Sequence, residues 1–138
     1  MASSNEKIMI NDELKRQLIE AALITRENAY APYSDFKVGS ALVCEDGSIF
    51  RGCNIENASF GLTICAERVA IGNAIAAGNQ KIVAICVASE GAASPCGACR
   101  QFINEFGSNT MIVLVNAETK NISREFSAKE LLPDSFSL

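Results

Sequence analysis

The sequence predicts an α/β fold: three α/β/α layers around a central mixed sheet of five strands. Three observations predict it. Segments with apolar residues at helical spacing alternate with short apolar runs along the chain. Two of those runs, 81–89 and 111–115, are apolar enough to be strands buried on both faces. A hairpin pattern over 36–52 precedes them. Parallel strands joined through helices, beside an antiparallel hairpin, need helices on both faces of one sheet.

The elements follow in order. Glu13 to Tyr30 reads as a helix, with Leu14, Leu18, Ala21, Ala22, Thr25 and Ala29 near one face. Asn11 or Asp12 can cap it and Pro32 stops it. Phe36 to Cys44 alternates apolar with small or polar residues, Glu45-Asp46-Gly47 turns, and Ser48 to Gly52 returns. Asn54 to Ser59 is a polar loop. Cys65 to Ala77 is an alanine-rich helix that stops at Gly78. Lys81 to Ser89 is a buried strand, and Gly91 to Pro95 a loop. Gly97 to Phe106 is a helix ended by Gly107, followed by a buried strand over Met111 to Val115. Ile122 to Phe126 is an edge strand, and Ser127 caps a short helix to Leu132. In such sheets sites gather at the carboxyl ends of strands, where loops enter helices.

The 138 residues fit one domain, 1–138, with a polar tail over about 1–10. Apolar residues are 49% and charged residues 20%, enough for a core and too little charge for disorder. No apolar run reaches the length of a membrane span, and the N-terminus lacks a secretory pattern. A soluble, cytoplasmic protein is expected. The net charge of −4, with no Lys/Arg cluster, argues against nucleic acid and for a small neutral or cationic substrate.

The chain has six cysteines and no histidine. Without a secretory signal a disulfide framework is disfavoured. Cys96 and Cys99 form a C-x-x-C, which means a metal clip or a redox pair. The redox reading leaves Cys65 and Glu67 without a task. Cys65, Cys96 and Cys99 therefore point to a zinc site of thiolates, each at a helix start where unpaired N–H groups favour the charged sulfur. Three ligands leave the fourth tetrahedral position open, as in a catalytic zinc. Glu67 is then placed to move protons for water.

Three thiolates around a dication leave a net negative charge, which weakens the metal as an acid. Arg68 and Arg100 each follow a motif and could donate to a ligand sulfur. Arg68 is preferred, three residues from Cys65 on one helical face. Cys44 and Cys86 read as small buried hydrophobes. A fourth thiolate from Cys53 would instead close the metal and make it structural. Asn54, Glu56 and Asn57 form a polar run. On spacing alone a solvated turn is the simpler reading, and contact with a hydroxyl-rich ligand the other.

Cys65-Ala66-Glu67-Arg68 with Pro95-Cys96-Gly97-Ala98-Cys99-Arg100-Gln101 resembles the zinc-dependent nucleoside deaminases, a superfamily with a known three-cysteine variant and a non-ligating glutamate. Further motifs are Tyr30-Ala31-Pro32-Tyr33-Ser34, Phe36-Lys37-Val38-Gly39-Ser40-Ala41, Gly52 to Ala58, and Glu130-Leu131-Leu132-Pro133 with Phe136. They make the chain similar to the short, homotetrameric cytidine deaminases, from its first helix to its C-terminus. The resemblance implies the cytidine deaminase-like fold, one Zn²⁺ per subunit held by Cys65, Cys96 and Cys99, and Glu67 as proton shuttle. It implies hydrolysis at C4 of cytidine and 2′-deoxycytidine by metal-activated water, in pyrimidine salvage. It places Asn54 and Glu56 on the ribose hydroxyls, which overturns the solvated-turn reading. It sets Phe36 against the pyrimidine and the backbone of Ala66 and Ser94 at the base edge. Phe136 would reach a neighbouring subunit's site, Phe60 would lie near the subunit interface, and Cys53 would not be a ligand. The rivals are a deaminase of another aminopyrimidine such as blasticidin S, a structural zinc module and a nucleic-acid editor.

Overall fold

The computed structural model describes residues 8–138. Most of the expected polar tail, residues 1–7, lies outside the described residues. Ile8 and Ile10 lie within them and pack against a core cluster.

The first helix, α1 (Asp12–Arg26), is capped by Asn11, whose Oδ1 accepts the Leu14 N–H at 2.8 Å. Leu14, Leu18 and Ala22 form its buried stripe. The helix ends four residues before the expected Tyr30. The backbone of Tyr30 is taken by the loop over 54–56: its N–H donates to the Asn54 carbonyl at 3.0 Å and its carbonyl accepts the Glu56 N–H at 2.8 Å. A helical Tyr30 could not make both bonds.

The strands are β1 (Val38–Cys44), β2 (Ile49–Cys53), β3 (Ile82–Ser89), β4 (Met111–Asn116) and β5 (Ile122–Ser127). They form one sheet in the order β2-β1-β3-β4-β5. Only β3 and β4 pair in parallel; the other neighbours are antiparallel. The period of two sorts their side chains. Ala41, Val43, Ala84, Cys86, Val113 and Val115 face α1. Leu42, Cys44, Ile85, Val87, Ile112 and Leu114 face the other layer, which holds α2 (Ala66–Ala76) and α3 (Gly97–Phe106). The three expected layers are therefore present. Fully buried Ile71 and Ile103 anchor α2 and α3, each such side chain contributing about 1.5–3 kcal/mol.

Two glycines set the helix–sheet distances. A Cβ on Gly39 would lie 2.0 Å from the Ala22 carbonyl oxygen of α1. A Cβ on Gly52 would lie 2.4 Å from the Ala70 nitrogen and 2.5 Å from the Ala66 oxygen of α2. The hydroxyl of Ser127 caps the short α4 (Ala128–Leu131) reciprocally with Glu130. A 3₁₀ turn over Phe60–Leu62 was not expected. Among the described residues no helix is long and apolar enough to cross a membrane.

Candidate metal centre and active site

Cys65 is the N-cap of α2, Cys96 the N-cap of α3, and Cys99 lies in the first turn of α3. Both helices start at the sheet end where β3 runs out at Ser89. The parallel crossover from β3 to β4 sets α3 there, and the packing of α2 on Gly52 brings Cys65 alongside. The three sulfurs lie within 4.8 Å of one another, with Cys65 and Cys96 3.7 Å apart. Tetrahedral zinc with Zn–S bonds of about 2.3 Å needs sulfurs roughly 3.8 Å apart, so the donor set fits that ion. Cys53 is not in this group: it pairs with Gly39 at the end of β2 and lines another groove. The possible fourth thiolate is thereby removed. Cys44 and Cys86 are buried, and burial pushes their thiols up to about 11 and about 12.

Neither capping cysteine makes a side-chain cap bond to its own helix. The expected backbone donors thus do not bond these two sulfurs. Side chains take that role. The neighbouring Cys99 thiol and the Arg68 guanidinium lower the Cys65 pKa against the opposing effect of burial. The Cys99 pKa is raised, first by its neighbour Cys65 and then by burial. Zinc binding displaces thiol protons, because it takes thiolates.

Arg68 Nη2 donates to Cys65 Sγ at 3.5 Å. Arg100 turns elsewhere: its Nε donates to the Pro95 carbonyl at 2.8 Å and its Nη1 to the Leu131 carbonyl at 3.1 Å. It braces the loop before Cys96 and does not touch a ligand sulfur through any of these bonds. Of the two arginines, Arg68 is the one bonded to the Cys65 sulfur.

Glu67, in the first turn of α2, is 4% exposed. Burial raises its pKa to about 6. A carboxyl group near that value can both take and return a proton at neutral pH. It lines a cleft of about 200 Å³ together with Cys65 and Cys96, and with Phe36, Asn54, Ala66 and Ser94. Seven of the residues singled out in the sequence are thus in one cavity.

Asn54 and Glu56 already have protein partners. Asn54 Oδ1 accepts the Val38 N–H at 2.9 Å, and its Nδ2 donates to the Phe36 carbonyl at 2.8 Å. Glu56 accepts from the N–H groups of Tyr33 and Ser34 at 2.9 and 3.2 Å and from the Ser34 hydroxyl. Those bonds, the hydroxyl first, hold its pKa below the ordinary carboxylate value. An amide offers two donors and two acceptor positions, and a carboxylate about four acceptor positions, so each keeps capacity for a ligand. Phe136 lies outside this cleft, 71% exposed, with its carbonyl accepting from Gln101 Nε2 at 3.3 Å.

The sequence reading missed Thr63, Val38, Val87, Ser89 and Ala93 on the cleft wall. Ser89 carried a signal: it ends a strand that feeds a loop and then a helix. It is fully buried, and its hydroxyl accepts the Ala93 N–H at 2.9 Å, which shapes the loop before Ser94.

The family model for the cytidine and deoxycytidylate deaminase zinc-binding region matches residues 12–115. A cytidine deaminase of Sporosarcina psychrophila is 46% identical over 123 residues, 88% of this chain and 90% of that one. One from Halalkalibacterium halodurans is 46% identical over 125 residues, 88% and 93% of the two chains. The crystal structure of cytidine deaminase from Burkholderia pseudomallei superposes with a TM-score of 0.83 at 52% identity, covering 88% of this chain and 98% of that one. That from Mycobacterium tuberculosis superposes with a TM-score of 0.79 at 34% identity, covering 94% and 100%.

Proposed function

The chain belongs to the cytidine and deoxycytidylate deaminase family, and we propose that it hydrolyses cytidine and 2′-deoxycytidine to uridine and 2′-deoxyuridine, releasing ammonia. One observation carries the reading. Three sulfurs converge, two of them on the wall of a cleft that also holds a buried carboxyl group, and no fourth His, Cys, Asp or Glu side chain joins them among the described residues.

Cys65, Cys96 and Cys99 hold the zinc, which when bound supplies Lewis acidity to a water molecule. Glu67 takes a proton from the attacking water and delivers it to N3 of the pyrimidine, so that C4 becomes electrophilic. It then takes the second proton, from the new hydroxyl on C4, and delivers it to the departing amino group. Water adds oxygen at C4, the C4–N bond breaks, and ammonia leaves, so the reaction is balanced without a redox partner. The burial of Glu67 keeps bulk water from competing for that proton. Phe36 packs on the base, and the backbone of Ala66 and Ser94 reads its edge. Asn54 and Glu56 use their remaining acceptor and donor positions on the ribose hydroxyls.

The working enzyme is a homotetramer in which Phe136 reaches a neighbour's cleft. The exposure of Phe60 (77%), Leu62 (64%) and Phe136 (71%) supports this, because apolar rings and chains so placed gain by being covered. Its place is the cytoplasm, in pyrimidine salvage, and the whole chain acts as one deaminase domain.

The loss of cytidine ultraviolet absorbance with zinc-loaded protein tests the reading. Turnover of cytidine is expected. Turnover of blasticidin S alone would favour the related aminopyrimidine deaminases, and a cobalt-substituted protein with four sulfur ligands would make the metal structural.

A further inference from the structure

We infer that Ser34 is a positioning residue for the substrate: its hydroxyl joins the carboxylate of Glu56 to the backbone of Phe36. The inference rests on the nucleoside reading of the cleft and adds a residue that lies outside the cleft wall.

A serine hydroxyl has one donor and two acceptor positions. Here the donor goes to Glu56 Oε2, and one acceptor takes the Phe36 N–H at 3.0 Å. The other oxygen of Glu56 takes the N–H groups of Tyr33 and Ser34. Three of about four acceptor positions on the carboxylate are therefore filled by this one loop, and a single position is left for a ligand hydroxyl. The loop decides where that position points.

Phe36 is held from its other side as well. Its carbonyl accepts from Asn54 Nδ2 at 2.8 Å. Both polar groups of its backbone are thus bonded to side chains and not to a strand, which is why β1 begins only at Val38. Between Ser34 and Phe36, Asp35 has φ 56°, a left-handed conformation uncommon outside glycine. The bonds of Ser34 bracket that turn. One hydroxyl therefore links the carboxylate proposed to meet the ribose to a ring that lines the cleft beside the cysteines. Cys65, Glu67, Cys96 and Cys99 sit on α2 and α3, which are anchored independently through Ile71 and Ile103. Loss of the hydroxyl should loosen substrate binding and leave the chemical step alone.

Steady-state kinetics of the zinc-loaded full chain with cytidine test this. Ser34→Ala should raise KM about tenfold, the size expected from losing a hydrogen bond to a charged group. Its kcat should stay within about twofold and its zinc content unchanged. Ser34→Thr, which keeps the hydroxyl, should restore KM. In a Glu56→Gln background, Ser34→Ala should add less than about threefold, because the two groups act as a unit. If Ser34→Ala does not fold, Ser34→Cys, similar in shape but a weak donor, reads the same bond. An unchanged KM, a loss confined to kcat, a failure of threonine to rescue, or a full tenfold effect in the Glu56→Gln background would overturn the inference alone. Wild-type protein that does not turn over cytidine would remove the nucleoside reading and this inference with it.

Discussion

Arg68 Nη2 lies 3.5 Å from Cys65 Sγ, one turn along the helix that Cys65 caps. This contact places a permanent positive charge against one of three thiolates that would otherwise leave the metal with a net negative charge. With zinc bound, the guanidinium would draw electron density from the sulfur and so return acidity to the metal. Arg68→Ala should weaken zinc binding about 10–100-fold, the range for losing a partner of a ligand. Turnover per bound zinc should fall as well. Chelator competition and zinc-normalised kinetics measure the two effects. Unchanged values for both would make Arg68 a bystander.

Glu67 is buried and lines the cleft. Glu67→Gln preserves its shape and removes its ability to accept and return a proton. The variant should keep one zinc per chain and its melting temperature, and lose about 10²–10⁴-fold in kcat. Retained turnover would take Glu67 out of the mechanism.

Gly52 and Gly72 make a matched pair. A methyl group on Gly52 would meet the backbone of Ala66 and Ala70, and only a shift of α2 could admit it. Because α2 carries Cys65 and Glu67, Gly52→Ala should cost about 1–3 kcal/mol and lower zinc affinity too. Gly72 lies exposed within α2, with nothing near its Cβ position. Gly72→Ala should stabilise the protein by about 0.5–1 kcal/mol with activity intact. Chemical denaturation of both variants decides it; equal effects would contradict the close approach of α2 to β2.

Five of the six thiols should sort by burial and metal. Near neutral pH, Cys44 and Cys86 should resist alkylation in the native protein, since burial disfavours their thiolates and shields them. Bound zinc should protect Cys65, Cys96 and Cys99. A chelator should then make Cys96, the exposed member, the first of the three to react. Mass spectrometry before and after metal removal reads the order. Early labelling of Cys86 would show that the sheet opens locally.

Local patterns in the chain foretold local structure well. The bounds of α3, Gly97–Phe106, match the sequence reading because Pro95 before it and Gly107 after it act on their own immediate backbone. The buried strands were legible from their continuous apolar runs, and the C-x-x-C from its spacing. The end of α1 was misread because the partners of Tyr30 lie more than twenty residues away, in a loop with no periodicity. The tail was read as polar over 1–10, although Ile8 and Ile10 find apolar neighbours on α1 and the sheet.

The sequence by itself determined which elements form, which residue types could hold zinc, and which family the motifs resemble. Those properties depend on backbone preferences and side-chain chemistry over a few consecutive positions. Tertiary structure alone decided that Arg68 and not Arg100 meets a sulfur, that Cys53 stays apart from the metal group, and that Ser34, Glu56, Asn54 and Phe36 share one set of bonds. Each of these outcomes depends on where a side chain points once the sheet has closed and brought distant segments together. Apolar periodicity carries no record of such directions.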